Sequence, residues 1–201
     1  MTIKKPVVAI GLALSILSIC LCSIGIPAFR FILQGCFWWE CVPERSFQIS
    51  ELELPSNLFP EGAIVNRIYP LSDEFGTLED GTQSIYWDNG NGSAGYTIYR
   101  YSTVRSTAKY FDLNKRLFVN SDTREEWKSP VDSSFSSTTA DVAYVGCGSW
   151  SEKSEKNCTM VAQYQAYVVV FDATIDTKMT FAQFEKILFY IDEQISSRLY
   201  P

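Results

Sequence analysis

The sequence contains no histidine among its 201 residues. Histidine is the usual general base near neutral pH and a common ligand of catalytic zinc. Its absence excludes nucleophile–histidine pairs and histidine-dependent zinc catalysis. We therefore expect a protein that is not an enzyme, with no catalytic residues, no bound metal and no cofactor.

Basic residues are also scarce, with 17 Lys and Arg against 23 Asp and Glu, which gives a net charge of −6. A nucleic-acid-binding surface needs clustered Lys and Arg to neutralise phosphates. This balance argues against nucleic acid as a partner. A composition of 46% hydrophobic and 20% charged residues also argues against disorder and for a folded domain.

No charged residue lies between Lys5 and Arg30. As a helix, residues 6–29 would extend about 36 Å, enough to cross a hydrocarbon core of about 30 Å. Lys4 and Lys5 precede the run, so the positive-inside rule places residues 1–5 in the cytoplasm and the rest outside. We expect a single-pass protein of the cell membrane, anchored in the lipid bilayer by residues 6–29, with an extracytoplasmic C-terminal domain.

Two other interpretations of the N-terminal run stay open. A basic start followed by an apolar run also describes a cleaved signal peptide, although an Ala-x-Ala cleavage pattern is missing and the run is long. A lipoprotein signal needs a small residue before its cysteine, but Ile19 precedes Cys20 and Leu21 precedes Cys22. A retained anchor, or uncleaved signal anchor, is the favoured interpretation.

Beyond the apolar run lie four cysteines, Cys36, Cys41, Cys147 and Cys158, which allow three disulfide connectivities. Closeness in sequence favours Cys36–Cys41 and Cys147–Cys158. Each bridge would stabilise the fold by about 2–3 kcal/mol on the chain-entropy model. Disulfides persist in oxidising compartments, which agrees with the predicted orientation.

We expect residues 30–60 to form a juxtamembrane linker that contains the Cys36–Cys41 loop, followed by one extracytoplasmic domain over residues 61–201. Trp38 and Trp39 come shortly after the apolar run. Indole rings favour the membrane interface, so these two are predicted interfacial residues, with packing against the domain as the alternative.

Alternating and apolar runs predict several strands, and 3.6-residue periodicity predicts two helices. A capping box of Thr180 and Gln183 opens the last helix, whose apolar stripe continues to Leu199. Asn-Gly steps between two strand-like runs predict a hairpin. The predicted strands cover 63–69, 84–87, 96–101, 142–147, 160–164 and 167–175, the last a central strand, and the first helix covers 103–119 with Ser102 as its cap.

These elements predict an α+β domain with a mainly antiparallel sheet and two helices. The closing order of hairpin and amphipathic helix resembles small extracytoplasmic α+β domains of the PsbP-like kind. The resemblance covers the C-terminal third and rests on element order alone. It implies a fold arrangement and no function.

Aromatic residues provide the candidate binding site. Trp and Tyr are enriched among the residues that anchor protein interfaces. Trp87, Trp150 and Tyr99 lie on predicted strands or their loops, so we expect them to form a patch for a protein partner on the extracytoplasmic side. The leading hypothesis is a non-catalytic binding, sensing or assembly role.

Two alternatives remain. A membrane-tethered hydrolase could use Ser106 and Lys109, which match the Ser-x-x-Lys pattern, although no Ser-Asp-Asn or Lys-Thr-Gly accompanies them. It could also use a carboxylate pair from Asp73, Glu74, Glu79 and Asp80. Alternatively, the chain could be an accessory subunit of a membrane complex that acts through its transmembrane helix.

Overall fold

The computed structural model describes residues 45, 47–71, 76–118, 126–131, 133–149 and 156–200. Among these residues, no helix combines the length and the apolar character that a membrane crossing requires. Several predictions fall outside the described residues and are not examined by the structure: the span at 6–29, the Cys36–Cys41 bridge, Trp38, Trp39, Asp73, Glu74 and Trp150.

The described domain contains a six-stranded sheet in which all neighbouring strands are antiparallel. The strands are β1 (Ile64–Val65), β2 (Glu79–Trp87), β3 (Gly92–Arg100), β4 (Val142–Gly148), β5 (Lys156–Tyr164) and β6 (Tyr167–Ile175), in the spatial order β1-β2-β3-β6-β5-β4. Helix α1 covers Val104–Asn114 and continues as a 3₁₀ turn, Lys115–Phe118, and helix α2 covers Phe181–Leu199. The predicted α+β class with an antiparallel sheet is confirmed.

The predicted hairpin is formed by β2 and β3. Its tight connection places Asp88 and Asn89 at positive φ (54° and 56°), followed by Gly90 at 91°. Asp, Asn and Gly tolerate this left-handed conformation better than other residues do. Lys178 Nζ lies 2.6 Å from Asp88 Oδ1, and this contact lowers the pKa of Asp88.

Strand β6 is buried on both faces, which explains its continuous apolar sequence. Val169 and Phe171 face the larger core, which α2 covers. Val168 and Val170 face a second cluster on the other side, together with Phe111 of α1. Because α1 and α2 cover opposite faces of the sheet, β6 is the central strand that its sequence predicts.

Helix α2 begins as predicted. Thr180 Oγ1 accepts a hydrogen bond from Gln183 N, and Gln183 Oε1 accepts one from Thr180 N, so the capping box is complete. The apolar stripe lies against the sheet. Its buried residues are Phe184, Ile187, Leu188, Ile191, Ile195 and Leu199.

The structure corrects the predicted linker and the start of the first helix. The segment before residue 61 belongs to the domain, because apolar residues on it are buried in the core on the α2 side: Phe47, Ile49, Leu52, Leu54 and Phe59. Gln83 anchors this segment by accepting from Leu54 N (2.9 Å) and donating to Leu54 O (3.1 Å). The cap of α1 is Thr103 and not Ser102, since Thr103 Oγ1 accepts from Ser106 N at 3.0 Å.

Candidate functional site

Trp87 and Tyr99, two of the three aromatic residues predicted to form a binding patch, lie apart. Trp87 is buried, with 2% of its surface exposed, and its Nε1 donates to Asp176 Oδ2 at 2.8 Å. Tyr99 is half-buried and stacks on Tyr101, with ring centroids 6.5 Å apart. Trp87 pairs with Gly92 at the tip of the hairpin, whereas Tyr99 pairs near its other end. Trp87 therefore serves the core, and a binding role for Tyr99 stays a prediction.

The residues considered for hydrolysis have structural contacts. Ser106 Oγ accepts a hydrogen bond from Thr103 Oγ1 at 2.9 Å within the cap of α1. Lys109 points along the helix surface, with Nζ 6.0 Å from the centre of the Tyr110 ring. Among the described residues no hydrogen bond joins Ser106 to Lys109, and the hydrolase alternative stays a prediction.

Two of the acidic residues considered for glycoside chemistry also have structural partners. Glu79 accepts from Ile49 N at 2.8 Å and lies 3.6 Å from Arg100. Asp80 accepts from Leu71 N at 2.9 Å. Both carboxylates thus hold neighbouring segments against the start of β2.

A different feature is the outer edge of the sheet at β4, where main-chain groups point away from β5. Lys128 and Cys147 exchange two main-chain hydrogen bonds (3.0 and 3.4 Å), so Cys147 turns its N–H and C=O away from β5. The alternation of an antiparallel ladder places the same groups of Val145 and Ala143 on that outer side. Ser129 Oγ donates to Val145 O at 2.5 Å. Within the described part of the chain, the N–H of Val145 and both groups of Ala143 have no hydrogen-bond partner.

A groove of about 580 Å³ runs beside these unpaired groups. Its floor and one wall are formed by residues 140–145, which include the first half of β4. The other wall combines hydroxyl groups with an aromatic ring, and its residues are Ser129, Pro130, Ser133, Phe135, Ser136 and Ser137. We call this feature the β4 groove. It offers main-chain donors and an acceptor beside small polar side chains, which suits an extended peptide.

Most of that other wall belongs to residues 133–139, which we call the serine strap and which two carboxylates of α2 hold in place. Glu185 Oε1 accepts from Ser134 N (2.6 Å), Phe135 N (3.1 Å) and Ser133 Oγ (3.0 Å). These charge-assisted bonds fix the strap at its start.

Asp192 holds the second half of the strap. It is 8% exposed, and its Oδ1 accepts from Ser137 Oγ (2.5 Å), Thr139 Oγ1 (3.1 Å) and Tyr164 OH (2.8 Å). Burial and the neighbouring Asp192 carboxylate raise the pKa of Tyr164, which keeps its hydroxyl protonated and donating. Asp192 thus links the strap by hydrogen bonds to Tyr164 of β5.

The predicted Cys147–Cys158 bridge is present and supports the same region. It joins β4 to β5 across a directly opposed pair, with the two Cα atoms 4.1 Å apart. Because Cys147 also pairs with Lys128, the bridge fixes one end of the edge strand beside the groove.

Sequence reasoning missed the groove and the strap. The strap was part of a polar stretch with the composition of an exposed loop. One signal was available: Asp192 falls within the apolar stripe of α2, between Leu188 and Ile195. A carboxylate at such a position requires hydrogen-bond donors, and the strap provides hydroxyls.

No protein-family model and no curated protein matches the chain. One solved structure with some likeness is the extracellular domain of PknH from Mycobacterium tuberculosis, which is 10% identical. The match covers 75% of this chain and 98% of the other, with a TM-score of 0.43.

Proposed function

We propose that this chain is a single-pass membrane protein whose extracytoplasmic domain binds an extended segment of a partner protein, without catalysis. The observation that carries the proposal is the set of unpaired main-chain groups of Ala143 and Val145 on the outer edge of β4, beside a groove of about 580 Å³. Backbone groups of this kind are satisfied by another strand, which would add to the sheet next to β4. The occupant is therefore an extended polypeptide.

The location of the domain is argued from the sequence and the disulfide. The charge-free run at residues 6–29 supports an anchor, and the lysines before it support an extracytoplasmic domain. The Cys147–Cys158 bridge supports an oxidising compartment. Together these features favour a domain that binds, senses or assists assembly outside the cytoplasm.

The experiment is a selection of displayed random peptides on the full chain, followed by titration of the enriched peptides. Ala143→Pro removes one outward N–H, and proline is tolerated at such edge positions. Loss of this bond and the added ring should weaken binding by about tenfold. Ala143→Ser keeps the N–H and is the matched control, which should bind like the wild type.

Amide hydrogen exchange gives a second measurement. On peptide binding, exchange at Val145 and Ala143 should slow, because their N–H groups become paired. The proposal is wrong if the selection yields no binder, or if the enriched peptides bind Ala143→Pro as well as Ala143→Ser.

A further inference from the structure

The surface of α1 and its following 3₁₀ turn concentrates positive charge in an otherwise acidic chain. Between Val104 and Phe118 there are four cationic side chains and one carboxylate, in a protein with a net charge of −6. All five are exposed: Arg105, Lys109, Asp112, Lys115 and Arg116. Such an excess stands out against the sign of the whole chain and indicates a surface for an anionic partner.

Three of these cations, Arg105, Lys109 and Arg116, outnumber the one carboxylate among them, Asp112, which lies three residues after Lys109 and four before Arg116. Arg105 and Lys109 are four residues apart and share one face of the helix, and Arg116 follows about two turns later, in the 3₁₀ turn. In the part of the chain that the structure describes, none of the three forms an ion pair. We call these three residues the α1 basic surface. Its charge is available to an external anion.

Exposed apolar side chains flank the α1 basic surface. Val104 is 38% exposed and Leu113 is 40% exposed. A helix that presents cations together with apolar side chains matches a bilayer interface, where headgroups carry the negative charge and the acyl boundary accepts the apolar groups. This combination favours an anionic lipid surface over a purely polar partner.

We propose that the α1 basic surface docks on the headgroups of anionic phospholipids in the membrane that anchors the chain. The proposal rests on the anchor in the proposed function, and it makes no use of the β4 groove. Each cation near an anionic bilayer contributes about 1 kcal/mol of attraction. Docking of this kind would fix the orientation of the domain on the bilayer.

The test compares amine modification of two exposed lysines in the full chain, read by mass spectrometry. Lys109 belongs to the α1 basic surface, and Lys186 lies on α2, on the opposite face of the sheet. Vesicles of phosphatidylcholine alone are compared with vesicles that contain about 30% phosphatidylglycerol. Anionic vesicles should slow modification of Lys109 by about fivefold, and high salt should reverse this, with no change at Lys186.

A double variant provides the matched comparison. Arg105→Gln with Arg116→Gln leaves Lys109 as the reporter and should abolish its protection, whereas Arg198→Gln on α2 should preserve it. Equal Lys109 rates on the two vesicle types would overturn the proposal and favour an acidic protein partner. Protection that persists in the double variant, or that is as large at Lys186, would also overturn it. If the chain sediments with neither vesicle type, the anchor is contradicted as well. Peptide binding at the β4 groove is a separate measurement, so its outcome does not depend on this test.

Discussion

At the scale of single residues, Asp192 connects the serine strap to the core. Its carboxylate accepts three hydroxyl hydrogen bonds and is 8% exposed. Asp192→Ala would leave the hydroxyls of Ser137, Thr139 and Tyr164 without their acceptor. We expect the free energy of unfolding to fall by about 3 kcal/mol, measured by urea denaturation.

The neighbouring Glu193 is exposed and provides the control. Glu193→Ala removes the same charge from α2 and should change stability by about 0.5 kcal/mol or less. Equal losses in the Asp192 and Glu193 variants would contradict the assigned role of the strap.

Asp172, on the α1 side of β6, makes stability depend on pH. A Cβ at Gly95 would lie 2.7 Å from Asp172 Oδ1, so the carboxylate occupies the space on β3 where Gly95 has no side chain. Asp172 keeps an exposed surface, but desolvation by the residues around its carboxyl group raises the pKa of Asp172 to about 6. The native state thus binds this proton more tightly than the unfolded chain, whose pKa is about 3.9. The contribution of Asp172 to stability therefore falls as pH rises from about 4 to 6.

Asp172→Asn should remove this pH-dependent loss. Because Asp172 is exposed, solvent screening limits the expected gain at neutral pH to about 1 kcal/mol or less. Urea denaturation at neutral pH should show the variant to be the more stable, and the difference should shrink near pH 4. A gain of equal size at both pH values would contradict this explanation.

At the scale of secondary-structure elements, the Cys147–Cys158 bridge secures the edge strand. It closes a loop with a sequence separation of 11 residues. Replacing both cysteines by alanine should reduce stability by about 3 kcal/mol on the chain-entropy model. Backbone amides of β4 should then exchange faster than those of β2, as measured by hydrogen exchange.

Reduction supplies the comparison for that prediction. A reductant should destabilise the wild type more than the double alanine variant, in which only the predicted Cys36–Cys41 bridge is left to reduce. Equal sensitivity of the two proteins would show that the effect does not arise from this bridge.

The elements that the sequence predicts well are those in which one periodic pattern decides the outcome. Helix α2 has both a capping box and a long apolar stripe, and β6 is apolar on both faces because both are covered. The β2–β3 hairpin follows from an Asn-Gly connection with positive φ. In each case, local sequence and tertiary packing favour the same structure.

Other features depend on contacts that no local pattern encodes. The apolar residues at 47–59 are separated by prolines and 3₁₀ turns, so their burial follows from packing against β2 and α2 and not from periodicity. The β4 groove depends on which strand occupies the edge, and that position is set by the strand order. Tryptophan is a residue type typical of interfaces, but Trp87 is buried because of its position in the hairpin.

At the scale of the whole molecule, we predict that the full chain stays with the membrane. After an alkaline wash that removes peripheral proteins, the chain should remain in the pellet because residues 6–29 would span the bilayer. Alkylation of the membrane fraction should leave Cys147 and Cys158 unmodified until a reductant is added. Recovery of the chain in the soluble fraction, with both thiols reactive, would contradict the anchor and the compartment.

The strand order also determines how the chain must assemble. Among the described strands, β3 and β6 are the only neighbours that do not follow each other in sequence, and Ala94 there lies opposite Ala173. The hairpins on either side can form locally, but joining them requires closure of a long intervening loop, which is slow. Val169→Ala, in the β3–β6 pairing, should therefore slow refolding. A side-chain truncation in β1 should mainly accelerate unfolding.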